Sequence, residues 1–128
     1  MNVGPLGAMR GQRIASNATG VTGTGVLGGA EIETANLIEK NNVGVNFTGV
    51  IQFNRIASND VGIFANDRQI IIHNFIYRNA TAGILIGNKS EIRVVGNTIY
   101  APLGDGIRIA NGSKDVEVRN NILWAETG

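Results

Sequence analysis

Asn97-Thr98-Ile99-Tyr100, then Gly106-Ile107-Arg108-Ile109, then Val116-Glu117-Val118-Arg119-Asn120-Asn121: this stretch decides the fold. It holds three short runs with period-two alternation and one apolar face, as half-buried strands have. It also ends on an Asn like the one that begins it. The same frame recurs upstream. An Asn followed two residues later by a large aliphatic stands at Asn36–Ile38, Asn54–Ile56, Asn74–Ile76, Asn97–Ile99 and Asn121–Leu123. Eight or nine residues past the first four comes a Gly with an apolar neighbour, at Gly44-Val45, Gly62-Ile63, Gly83-Ile84 and Gly106-Ile107. The Asn positions lie 18, 20, 23 and 24 residues apart. A period near twenty, in units too small to bury a face alone, marks a solenoid whose units are stable only against their neighbours.

Three-residue strands are unstable in isolation, but coils about 4.8 Å apart join them into long parallel sheets. Ile38, Ile56, Ile76, Ile99 and Leu123 then form one inward row, and Val45, Ile63, Ile84 and Ile107 a second. The expected fold is all-β, a parallel β-helix of about five coils spanning residues 12–128. Arg13-Ile14-Ala15-Ser16-Asn17 recurs letter for letter as Arg55-Ile56-Ala57-Ser58-Asn59, which sets Gln12 in the Asn column and Ile14 under Ile38. Residues 1–11, with Gly4, Pro5, Gly7 and Gly11, are expected to form a flexible leader. Residues 23–35 are the least regular. Gly23-Thr24-Gly25-Val26-Leu27-Gly28 spells G-x-G-x-x-G, but the polar run Ala15–Thr19 before it is no buried strand, as a dinucleotide site requires. A loop bulging from one coil is expected there.

Composition narrows the function classes. Eleven basic and ten acidic residues, spread without blocks, give a net charge of +1 and point to neither nucleic acid nor an anionic membrane. There is no Cys, hence no disulfide framework and no thiolate chemistry. The first residues lack the apolar run of a secretory signal, and no segment approaches the ~20 apolar residues of a spanning helix. The chain as encoded is expected in the cytoplasm, unless it is a fragment of an exported parent.

The N-x-I…G-I-x-I…V-x-V-x-x-N pattern resembles the right-handed parallel β-helix repeat of the pectin-lyase-like superfamily over roughly residues 12–128. The resemblance implies a right-handed coil and an Asn at a tight turn between two sheets. An Asn tolerates the left-handed conformation such a turn needs, and its amide can bond to that of the next rung. The resemblance is specific for fold and not for activity, since the superfamily spans lyases, hydrolases, epimerases, tailspikes and adhesins. The Asn-Thr-Asp, Asp-Asp and Gly-His-Gly motifs of the polygalacturonases are missing. Gly106-Ile107-Arg108-Ile109 resembles their Arg-Ile-Lys motif, with Ala110 where Lys would stand.

Glycoside hydrolysis needs two carboxylates at a set separation, and Asp60 and Asp105 come nearest. They sit near equivalent turn positions two coils apart, about 10 Å at the rung spacing, against the ~6.5–9.5 Å of inverting enzymes. Solvated turn aspartates are the plainer reading. His73, the only histidine, reads as a turn residue. No metal signature and no cofactor motif stands out. Five N-x-S/T triplets, at Asn17, Asn46, Asn79, Asn88 and Asn111, follow from Asn-rich turns.

The outward positions of the strand after each ladder Asn carry more information. Position two points in, so positions one and three point out. The third position gives Tyr77, Tyr100 and Trp124 on successive rungs, with Phe75 and Ile122 alongside and Phe64 and Leu85 expected from the facing strand. Such an apolar strip is rarely left bare on a monomer. Three uses compete: cover by a second subunit or by a segment of a parent chain, a platform for the apolar faces of a polysaccharide, or local stabilisation of rung pairing. The leading expectation is a non-catalytic structural or interaction module that self-associates through the strip and is related to carbohydrate-active proteins. The alternative is a polysaccharide lyase or epimerase relative, with Asp60, Asp105 and Arg108 as its site residues.

Overall fold

The computed structural model describes residues 1–3 and 8–127. Its strands follow in coils. Short strands β1 (Asn2–Val3) and β2 (Ala8–Met9) lead into β3 (Arg13–Ala15) and the long β4 (Thr19–Leu27). Then come β5 (Leu37–Glu39) with β6 (Val43–Gln52), and β7 (Arg55–Ala57) with β8 (Val61–Phe64) and β9 (Ile70–Ile72). The last two coils are β10 (Phe75–Tyr77), β11 (Ala82–Gly87) and β12 (Ser90–Val95), then β13 (Thr98–Ala101), β14 (Asp105–Ala110) and β15 (Lys114–Arg119), closed by β16 (Ile122–Ala125). All the pairings are parallel, and they build three faces. The first stacks β4, β6, β8, β11 and β14; the second stacks β4, β6, β9, β12 and β15. The third stacks β3, β5, β7, β10, β13 and β16. This is a parallel β-helix.

In the early coils the first two faces share one bent strand, where the sequence led us to expect separate strands. Gly25 and Gly49 stand in register at the bend, with φ of +110° and +116°. A Cβ on Gly49 would sit 2.3 Å from the Gly25 carbonyl oxygen, so only glycine allows both the turn and the close approach. The expected loop over residues 23–35 is therefore corrected. Gly23 to Leu27 is strand, and irregular chain is confined to the segment around the single 3-10 turn Ile32–Thr34. The leader expected over residues 1–11 falls partly on residues 4–7, outside the described residues. On either side of them, β1 and β2 pair with β4.

The inward rows are as expected in the middle of the stack. Ile38, Ile56, Ile76 and Ile99 are in register and buried, as are Val45, Ile63 and Ile84. A third row, Leu27, Ile51, Ile71 and Val94, lines the second face. The last coil differs. Its inward Ile109, Val118 and Leu123 are 49%, 43% and 52% exposed.

The Asn column is a hydrogen-bonded ladder. Asn36 Nδ2 donates to Asn54 Oδ1 (2.8 Å), Asn54 to Asn74 (3.2 Å), Asn74 to Asn97 (3.0 Å) and Asn97 to Asn121 (3.0 Å). Each Oδ1 from Asn74 on also accepts the backbone N–H of the ladder residue one coil back, and Gln12 N–H reaches Asn36 in the same way. The left-handed conformation expected of these asparagines belongs instead, at four of the five, to the residue before: Phe53 (φ 50°), His73 (53°), Gly96 (66°) and Asn120 (55°), whereas Ala35 before Asn36 is extended. The Asn stays in line with its strand because its amide must reach along the stack.

A second ladder, not anticipated, runs along the opposite end of the third face. Asn17 donates to Asn41 (3.2 Å), Asn41 to Asn59 (3.1 Å) and Asn59 to Asn79 (3.1 Å). Two residues past the Tyr77/Tyr100 pair stand Asn79 and Pro102, so the next coil supplies no amide and the ladder stops. This ladder and the next coil's backbone together close the space beside three of the recurrent glycines. A Cβ on Gly20, Gly44 or Gly62 would lie within 2.9 Å of the ladder amide of the next coil and 2.7 Å of a backbone oxygen.

Coil length grows at one corner. From the Gly of the first face to the next ladder Asn the chain takes 10, 12, 14 and 15 residues (Gly44 to Asn54, Gly62 to Asn74, Gly83 to Asn97, Gly106 to Asn121). That growth opens the bend between the first two faces into a turn.

Candidate functional site

The outer surface of the third face carries the aromatic residues where strand alternation puts them. Tyr77, Tyr100 and Trp124 are in register on β10, β13 and β16, and so are Phe75, Thr98 and Ile122. Trp124 is 65% exposed, Ile122 69% and Phe75 40%, while both tyrosines are half-buried. The rings form two contacts rather than one continuous stack. Phe75 lies against Tyr77 along its strand (4.7 Å between centroids), and Tyr100 against Trp124 across the rung (5.5 Å). Both are tilted, the geometry that ring quadrupoles favour over a face-to-face sandwich. The Tyr100 hydroxyl donates to Glu126 Oε1 (2.9 Å). That bond to a carboxylate raises the phenol's pKa, while the charge of Arg78 pulls the other way. Phe64 and Leu85 belong to the first face. They are half-buried there, in register with each other and with Arg108.

The acids of the alternative site are each engaged locally. Val61 and Asp105 both pair with Ala82, so Asp105 stands one register step from Asp60, whose own counterpart is Thr81. The Thr81 hydroxyl donates to Asp60, and Asp105 is bridged by Arg108. His73 is exposed at its turn, against the Phe53 ring (5.3 Å). Among the described residues no group of three or more His, Cys, Asp or Glu is placed to hold a metal ion, and no helix is long and apolar enough to cross a membrane. Of the five triplets, Asn79 is 2% exposed and tied into the second ladder, whereas Asn88 and Asn111 are exposed at successive corners.

One surface feature was missed. A groove of about 580 Å³ on the second face is lined by Arg68, Glu91 and Asp115 and by the in-register Ile70, Arg93 and Glu117, with Val116. Cross-coil ion pairs Arg68–Glu91 (3.8 Å) and Arg93–Glu117 (3.5 Å) line it. The outward alternation of β12 and β15 already carried this signal, because Arg93 and Glu117 are in register.

With parallel pairing, stacked inward rows and the Asn ladder established, the family comparison agrees. The right-handed β-helix region family matches residues 8–126. The chain belongs to this family. Comparison with curated proteins and with solved structures returned no match. Right-handed β-helix membership accounts for the coil and its core rows. Like the fold itself, it leaves activity to be argued from the surface.

Proposed function

We propose that this right-handed β-helix is a non-catalytic interaction module whose working surface is the outer side of its third face, covered by a second copy of the chain. The observation that carries this reading is the exposure of Ile122, Trp124 and Phe75 beside the two tilted ring pairs of the third face. Covering an aromatic side chain removes up to ~150–250 Å² from water, a gross gain of about 4–6 kcal/mol before association costs. The face is narrow: six strands at ~4.8 Å and three residues at ~3.3 Å give roughly 24 by 10 Å. That is well under the ~800 Å² per partner of a standard interface, so a weak, high-micromolar association is expected. The engagement of Asp60 by Thr81 and of Asp105 by Arg108 supports a non-catalytic role.

Sedimentation across a concentration series tests this. The parent should show a concentration-dependent rise in mass that Trp124→Ala abolishes, and a clean monomer at high micromolar concentration would sink the proposal. The register of Tyr77, Tyr100 and Trp124 supports a second reading, a stacking platform for polysaccharide. In that case Trp124→Ala and Tyr100→Ala should each reduce retention on an immobilised glycan, and no retention of the parent ends the idea. The enzyme alternative is tested by a panel of uronate polysaccharides followed for unsaturated product, where silence removes its lyase form.

A further inference from the structure

Asn111-Gly112 is the only Asn-Gly pair in the sequence, and the fold displays it at the corner between β14 and β15. Both residues are exposed, with φ of 54° and 75°. A Cβ on Gly112 would meet nothing nearer than Asn88 Oδ1, at 4.0 Å. The Ser113 hydroxyl donates to the Ala110 carbonyl (2.7 Å), bracketing the two exposed residues between them. The ladder asparagines are held very differently. Asn74 Nδ2, for example, donates to Ile51, Ile72 and Asn97 inside the stack.

We propose that Asn111 is a site of spontaneous covalent modification: it closes on the backbone of Gly112 to a succinimide, which opens to an aspartyl or isoaspartyl residue. In the first step the Gly112 backbone nitrogen bonds to Asn111 Cγ and the Cγ–Nδ2 bond breaks. The amide proton leaves with Nδ2 as ammonia. In the second, water adds across either ring carbonyl and one C–N bond of the ring breaks. No oxidant, reductant or cofactor is needed. The attacking nitrogen must approach a side chain of its own preceding residue, which a bare glycine permits and a Cβ obstructs. The products carry one more negative charge, and the isoaspartyl form adds one backbone atom at a corner where coil length already varies.

The fold supplies an internal control. Gly87 pairs with Ala110, so Asn88 occupies the equivalent corner one coil back. It has φ 54° and is likewise exposed, but Lys89 follows it. The folded protein would be incubated in mildly alkaline buffer and followed by peptide mapping. A one-dalton gain and enzymatic isoaspartyl methylation are the readouts, with a urea-unfolded sample in parallel. The expected result is modification of Asn111 in the folded chain, severalfold faster than of Asn88, whose following residue carries a Cβ. An Asn111 that is unchanged, that reacts no faster than Asn88, or that reacts only after unfolding would overturn the proposal.

Discussion

A ladder amide does more than its own hydrogen bonds suggest. Asn74 Oδ1 accepts Asn54 N–H and Nδ2 from the coil before, and its Nδ2 donates to the Ile51 and Ile72 carbonyls and to Asn97 Oδ1, with only the Ile72 bond partly open to water. Truncating it leaves the buried Asn54 N–H without its acceptor and removes one donor from the Ile51 and Ile72 carbonyls, and an unpaired buried group costs about 1–3 kcal/mol. Asn74→Ala should therefore lose roughly 2–4 kcal/mol in urea unfolding, and a loss below about 1 kcal/mol would show that the ladder relaxes around the gap. At the opposite extreme of exposure, Asp67 Oδ1 accepts the Ser90 N–H of the next coil (2.8 Å), which holds its carboxyl below the ordinary 3.8; Lys89 adds to the effect. A depressed carboxylate contributes stability above its unfolded pKa and loses it as pH falls through the folded value. Wild type should exceed Asp67→Asn at neutral pH and converge with it in acid, as pH falls below the ordinary carboxylate range and through the lowered folded value. A constant gap between the two would assign the effect to shape rather than charge.

At the scale of strands and turns, glycines inside the recurrent row and glycines outside it are two kinds of position. Gly44→Ala would place a Cβ 2.6 Å from the Gly62 oxygen, a strand backbone atom, and 2.9 Å from Asn59 Nδ2, a ladder amide. It should cost about 1–3 kcal/mol. Gly87→Ala meets nothing within 4 Å and should stay within about 0.5 kcal/mol of wild type. Equal effects in thermal melts would contradict the ladder explanation. The row itself was plain in the sequence, and so were the inward rows and the register, because stacking repeats a residue's environment every coil. Its cause was not plain. Asn41 and Asn59 stand three residues before Gly44 and Gly62, a spacing that signals the second ladder only once the turn is known to fold the amide onto the glycine. The bent β4 and β6 escaped for a similar reason, since a glycine at a sheet-to-sheet bend reads in one dimension as a loop. The aromatic positions followed from strand alternation, but which rings touch depends on rotamers that no spacing encodes.

For the whole molecule, stability is expected to vary along the stack, because each coil answers mainly to its neighbours. Ile109, Val118 and Leu123 are far more exposed than their buried equivalents Ile86, Val94 and Ile99. Hydrogen exchange should therefore be fastest, among the strands of the last two coils, in Ile122–Ala125 and slower by orders of magnitude in Phe75–Tyr77. Uniform protection across the two would mean that the coils open as one unit.

The corner between the first two faces has a use that none of the surfaces above supplies. It has absorbed up to five additional residues, from the 10 of the Gly44–Asn54 leg to the 15 of the Gly106–Asn121 leg, while the pairings on either side kept their register. Chain added there projects outward and leaves both ladders untouched, and closing a longer loop costs only about 0.6 kcal/mol per doubling of its length. The corner is thus a port at which a foreign peptide could be displayed, with the solenoid as its rigid mount.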